Sequence, residues 1–291
     1  MHEALYLQPL SLEYSTSQTR HASRGLLLTN TTTISPPPIS RRSIPVHLLP
    51  NFAYTHVMAS SKLTPAKAIQ AIQKRGALLV YPLDNRPKPD SIWSEFFSDK
   101  MRWEWDADGD DRVAKLWQIK TTLSSSREVV YVKWYQGRAT FFSKETFTHL
   151  LAYLGSAHKK QDSLPKEANL ILEVLEMDSP QSTKQIKLAT DLRGKIFERV
   201  YEKSLKALFD QLWVVGFGEF DDGAFPSLAV GSTKALFEDL WEESKTISSN
   251  AAKDWLITKL GVDSLFLKYA DKVLHPKPAA ASKRRDRSLD E

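Results

Sequence analysis

From residue 63 onward, apolar positions recur either at a helical period near 3.6 or in short unbroken runs, which predicts helices interleaved with buried strands. Thr64-Pro65 reads as an N-cap with proline in the first helical position, and Ala68, Ile69 and Ile72 give that helix an apolar face up to Gly76. Residues 77–81 predict a short buried strand. Pro82, Pro87 and Pro89 break the next stretch into a loop around Asp84-Asn85-Arg86, and 91–97 reads as a short helix. A helix over 112–123 carries Val113, Leu116, Trp117 and Leu123 on one side. Strands over 129–134 and 138–142 join through Gln136-Gly137. Ser143 caps a helix that turns Phe147, Leu150, Leu151 and Leu154 inward and stops at Gly155.

After a polar stretch over 156–165, the pattern is sharper. One helix is predicted over 166–177 and a second over 182–189, with Ser182 as N-cap and Gln185 at the reciprocal position of a capping box. Gly194 makes a turn. A third helix over 195–212 places Phe197, Tyr201, Leu205, Leu208 and Leu212 on one face. Strands over 213–220 and 225–230 form a hairpin around Asp221-Asp222-Gly223. Two helices, a turn, a third helix and a hairpin make the winged variant of helix-turn-helix. A helix over 234–244 closes the unit, and 251–274 reads as one amphipathic helix. Both halves begin with a capped helix and contain a hairpin, so the expected fold is α+β with tandem winged-helix units. The expected division is 58–160 for an aromatic-rich α+β unit, 161–245 for the winged helix, and 246–291 for a helix and basic tail.

Residues 1–57 do not fit this pattern. They hold fourteen Ser or Thr and six Pro with no periodicity, so they cannot bury enough apolar surface to offset chain entropy. The expectation is a disordered extension. It reads either as a segment ahead of a true start at Met58 or as an organelle transit segment, for which its Arg content and scarce acids are suited. Without that import, a cytoplasmic, nucleoid-associated location is expected.

The net charge of +5 is concentrated in the tails, at +2 in 1–57 and +2 in 276–291, so basicity alone is no nucleic-acid footprint. The absence of cysteine excludes disulfide scaffolds, thiolate metal sites and a Cys nucleophile. No run of 18 apolar residues occurs, so no membrane partner is expected. The acidic loop 106–111 lacks the Gly and Glu of a calcium loop, and the seven His are scattered. Neither a metal nor a cofactor is called for.

Two constellations remain. Between Thr183 and Lys206 the local charge is +4, and Lys184, Lys187, Lys195, Arg199, Lys203 and Lys206 are placed to reach phosphates. The plain alternative is a solvated face with Glu198 and Glu202 as internal partners. Between Trp93 and Phe142 lie eleven aromatic residues, most expected in the core. Trp103, Trp105 and Tyr135, flanked by polar residues, are candidate base-stacking platforms with Arg102 and Arg138 for phosphates. Asp84 follows a buried strand, where a carboxylate can be held at a cleft; an Asx-turn is the competing reading.

The run Leu79-Val80-Tyr81-Pro82-Leu83-Asp84-Asn85, followed by Ile92-Trp93-Ser94-Glu95, resembles the opening of the AlkZ (YcaQ-like) DNA glycosylase family. Residues 102–106, 109–113, 133–143, 216–219 and 226–231 resemble the AlkZ-related proteins more closely, and the likeness spans about 63–244. The resemblance implies tandem winged-helix units, a DNA partner and removal of alkylated bases. It also implies that Asp84 is the water-activating carboxylate of a Gln–hydrophobic–Asp motif. Here the triplet is Pro82-Leu83-Asp84, so the acid is kept and the Gln is replaced by a residue with no donor. Two functions are therefore expected in competition. The first is a DNA-associated protein that recognises or excises damaged bases. The second is a non-catalytic regulator that binds a protein partner.

Overall fold

The computed structural model describes residues 63–103, 110–159, 164–223 and 225–276. The expected extension 1–57, Trp105 and the tail beyond 276 lie outside them. The described chain is mixed α/β, with eleven α-helices around one antiparallel sheet.

The first half opens with α1 (Pro65–Arg75), whose N-cap Thr64 accepts a hydrogen bond from the Lys67 amide. Strand β1 (Ala77–Leu79) follows directly. Helix α2 (Ile92–Phe96) starts at a capping box between Ser91 and Ser94, and α3 (Asp111–Ser124) at Asp110. The hairpin of β2 (Val129–Lys133) and β3 (Ala139–Ser143) turns through Gln136 and Gly137 and leads into α4 (Lys144–Leu154), capped by Ser143. Helix α4 ends at Gly155 in the left-handed conformation.

The second half repeats the order. Helix α5 (Lys166–Met177) precedes β4 (Gln181–Ser182), then α6 (Thr183–Ala189), α7 (Lys195–Asp210) and the hairpin of β5 (Val214–Phe220) and β6 (Ser227–Ser232). Ser232 caps α8 (Thr233–Leu236) as Ser143 caps α4. Helices α9 (Glu238–Thr246), α10 (Ser249–Leu260) and α11 (Leu265–Leu274) complete the chain.

The strand order is β1-β3-β2-β5-β6-β4. Counted inward from either edge, each half contributes its first, third and second strand, and the halves meet where β2 pairs with β5. At that seam Tyr131 stands opposite Gly216. A Cβ on Gly216 would come within 2.4 Å of the Tyr131 ring, so only glycine admits the phenol there.

The two-residue period of β2 divides the core. Val129 and Tyr131 face a cluster with Leu78, Ile92, Trp93 and Leu116 under α1 to α3. Val130 and Val132 face a larger cluster that includes α4, α5, α7 and the C-terminal helices. Trp134 locks the halves together within that cluster. It is fully buried, its Nε1 donates to the Asp210 carbonyl at 2.9 Å, and Tyr269 of α11 meets its ring edge-on at 5.0 Å.

The structure corrects several local expectations. The single helix over 251–274 is two helices, because Gly261 at φ 89° leaves helical space. The helix over 234–244 breaks at Phe237, whose φ and ψ of −136° and 54° are not helical. Trp117, expected on the apolar face, is 48% exposed. It sits about 100° round the helix from Leu116, at the flank of the buried stripe.

Candidate nucleic-acid interface

Helix α7 buries Tyr201, Ser204 and Leu208 along one stripe. Helical geometry therefore turns Lys195, Arg199, Lys203 and Lys206 to the opposite side, and all four are exposed. Lys195, Arg199 and Lys203 make no ion pair among the described residues. The other cations of this region are engaged. Lys187 bonds Glu198 at 2.7 Å and lies 4.7 Å from the Tyr201 ring centroid. Lys184 donates to the Asp222 carbonyl at 3.3 Å, which ties α6 to the β5–β6 loop. Lys206 pairs with Asp210 at 2.5 Å. Beyond it a groove of about 720 Å³ runs between α7 and α11, lined by Lys206, Asp210, Tyr269, Lys272 and His275. Beside the cationic stripe, Leu188, Ile196, Phe197 and Val200 are exposed, Ile196 by 82%.

Asp84 sits in a tight turn, at φ 50° and ψ 35°, with Asn85 at φ 53°. Asn and Asp tolerate this left-handed region because their short polar side chains bond locally. The Asn85 carboxamide is the anchor. Its Nδ2 donates to the Met101 carbonyl at 3.1 Å, and its Oδ1 accepts from the Met101 amide at 2.8 Å. The turn is thus fastened to the segment that carries Arg102 and Trp103. The Asp84 carboxylate is 64% exposed, with Arg86 at 3.9 Å. The Trp103 ring lies 5.3 Å from that of Tyr81 and is half-buried.

Of the remaining expected site residues, Arg102 and Arg138 are exposed. Tyr135 is 5% exposed, its ring set between Phe266 and Tyr269 at 5.4 and 5.2 Å. Its ring face is given to the core, where burial raises the phenol pKa. Asp110 of the acidic loop caps α3 and, with Asp99, holds Arg112. The Arg112 guanidinium lies 4.9 and 4.8 Å from the Trp93 and Phe97 ring centroids, and its hydrogen bonds hold both carboxylates below their ordinary range.

One group at the sheet seam carries no sequence signal. Lys120 of α3 pairs with Glu219 of β5, both side chains nearly enclosed, and Thr121 Oγ1 donates to the other carboxylate oxygen at 3.1 Å. The partners lie 99 residues apart, beyond the reach of any local pattern. Lys120 Nζ also lies 4.4 Å from the centroid of the Trp117 ring. Tyr131, packed nearby, is held protonated by burial first, with the Tyr81 and Glu219 groups adding to it. Lys133 carries its charge near Lys120. Desolvation by crowded neighbours, then that like charge, lowers its pKa.

No helix among the described residues is long and apolar enough to cross a membrane. No curated protein and no solved structure matches the chain. The family model described as AlkZ related matches residues 63–266, from the first helix through the start of α11. That span holds the Asp84 turn, the seam and the cationic helix, and it places the chain in the AlkZ-related family.

Proposed function

We propose that this protein is a DNA-associated, tandem winged-helix relative of the AlkZ glycosylases that engages damaged or distorted duplex. The order helix, strand, helix, helix, hairpin occurs in each half, with strand orders β1-β3-β2 and β4-β6-β5, which suits two winged-helix units joined through their second strands. In the second unit α7 takes the place of the recognition helix. The observation that carries the reading is the outward stripe Lys195, Arg199 and Lys203 on that helix, three cations with no ion pair among the described residues. Arg102 and Trp103 add contacts beside the Asp84 turn, and the exposed Arg138 a further phosphate contact.

In this reading Asp84 is the carboxylate that activates water in a monofunctional glycosylase. Its exposure and rigid turn support the role, while Pro82 removes the Gln that would share the work. The test is base release from methylated duplexes together with binding to an abasic-analogue duplex. Asp84→Asn is the right variant because asparagine also tolerates the left-handed turn and only the charge is lost. Release should vanish while binding persists. Release by the variant equal to that of the wild type removes Asp84 from the reaction.

The second reading is a non-catalytic module that binds a protein. The exposed apolar group Leu188, Ile196, Phe197 and Val200 favours it. A salt titration separates the two. Phosphate contacts give an affinity that falls steeply with salt, whereas a flat profile favours the protein partner.

A further inference from the structure

Trp117 is the one exposed large apolar side chain among the described residues up to Lys159. Its setting is constructed. Lys120, one turn along α3, places its ammonium 4.4 Å from the indole centroid, and that ammonium is fixed by Glu219 from the other half of the sheet. Thr121 secures the same carboxylate. One face of the ring therefore rests on a held cation, and about half of the side chain is exposed.

Helix α3 stands in its half where α7 stands in the second half, before the hairpin that forms the seam. Gln118 beside Trp117 is polar and exposed, and among the described residues up to Lys159 no second large apolar side chain is exposed. A protein interface needs a cluster of apolar anchors with a dry centre. A lone indole backed by one held ammonium suits a single planar ligand.

We infer that Trp117, seated on Lys120, is a stacking platform for one unpaired nucleobase of a DNA strand. The inference rests on the DNA-association reading and adds to it a division of labour. Helix α7 grips paired backbone, and α3 reads a base that has left the stack.

The experiment uses the full chain and two duplexes of one sequence. One is fully paired, and the other carries a single bulged 2-aminopurine whose fluorescence falls when it stacks. The wild type should prefer the bulged duplex and quench the probe. Trp117→Ala should lose that preference by on the order of tenfold and lose the quenching, with paired-duplex affinity unchanged. Trp117→Phe, which keeps a ring, should retain most of both. Joint replacement of Arg199 and Lys203 by Ala should weaken both duplexes alike. Preference and quenching that survive in Trp117→Ala overturn the inference, as does a wild type that binds both duplexes equally. Either result leaves DNA association standing. A wild type that binds neither duplex overturns both readings.

Discussion

Tyr131 and Gly216 face each other across the join between the two halves of the sheet, and the phenol ring occupies the space a side chain at 216 would need. Tyr131 is 3% exposed and packs on Phe141 at 5.2 Å, so it has no route of retreat. Gly216→Ala should therefore destabilise the chain by about 1–3 kcal/mol, the usual cost of overpacking. Chemical denaturation of both forms checks this. A variant within experimental error of the wild type would mean that the ring moves freely.

How far the sequence discloses this fold follows from the range of the interactions involved. Thr64, Ser143 and Ser182 bond amides three residues on, so each cap is readable from its own neighbourhood, as are the stops at Gly76 and Gly155. Strand β4 is only two residues long and exists because β6 pairs with it, so no local period marks it. The break at Gly261 was masked by apolar residues that keep helical spacing on both sides. The site divides the same way. The cationic face of α7 is evident from its buried stripe, whereas the burial of Tyr135 depends on α11, more than a hundred residues away. Trp117 misleads because its apolar character is ordinary and only the fold places it at the edge.

The Asn85 carboxamide bonds both backbone groups of Met101. Asn85→Ala loses two hydrogen bonds and places a residue without local side-chain bonding in the left-handed region. The expected cost is about 2–3 kcal/mol. Amide hydrogen exchange should show the loss of protection concentrated at Met101, with α7 unaffected. Asn85→Asp keeps the acceptor but cannot donate to the Met101 carbonyl, and so recovers only part. Uniform loss of protection throughout the chain would show that the clamp supports the whole fold and not the turn alone.

Arg112 makes acid stability depend on two carboxylates. Its hydrogen bonds lower the pKa of Asp99 and of Asp110 in the folded state. Depressed folded values mean that the unfolded chain takes up protons first. The stabilisation is thus complete above the unfolded value of about 3.9 and is lost as pH falls through the lower folded values. Asp99 is about half exposed, so solvent screens part of the effect. Arg112→Met should cost about 1–2 kcal/mol at neutral pH and flatten the acid limb below about pH 4. Unfolding midpoints measured between neutral and acid pH test the sign. Parallel curves for variant and wild type would remove Arg112 from the acid response.

Lys120 and Glu219 carry opposite charges in a nearly closed space between α3 and β5. Lys120→Met leaves the carboxylate with Thr121 alone, and the uncompensated buried charge should cost about 3–5 kcal/mol. Removing both charges, as Lys120→Met with Glu219→Leu, should recover most of that loss because neither group then needs solvating. The signature is therefore non-additive: the double variant is more stable than the Lys120→Met single variant. A double-mutant cycle by denaturant unfolding measures it directly. A coupling energy near zero would show that water reaches the pair, and that the platform beneath Trp117 is looser than the geometry shows.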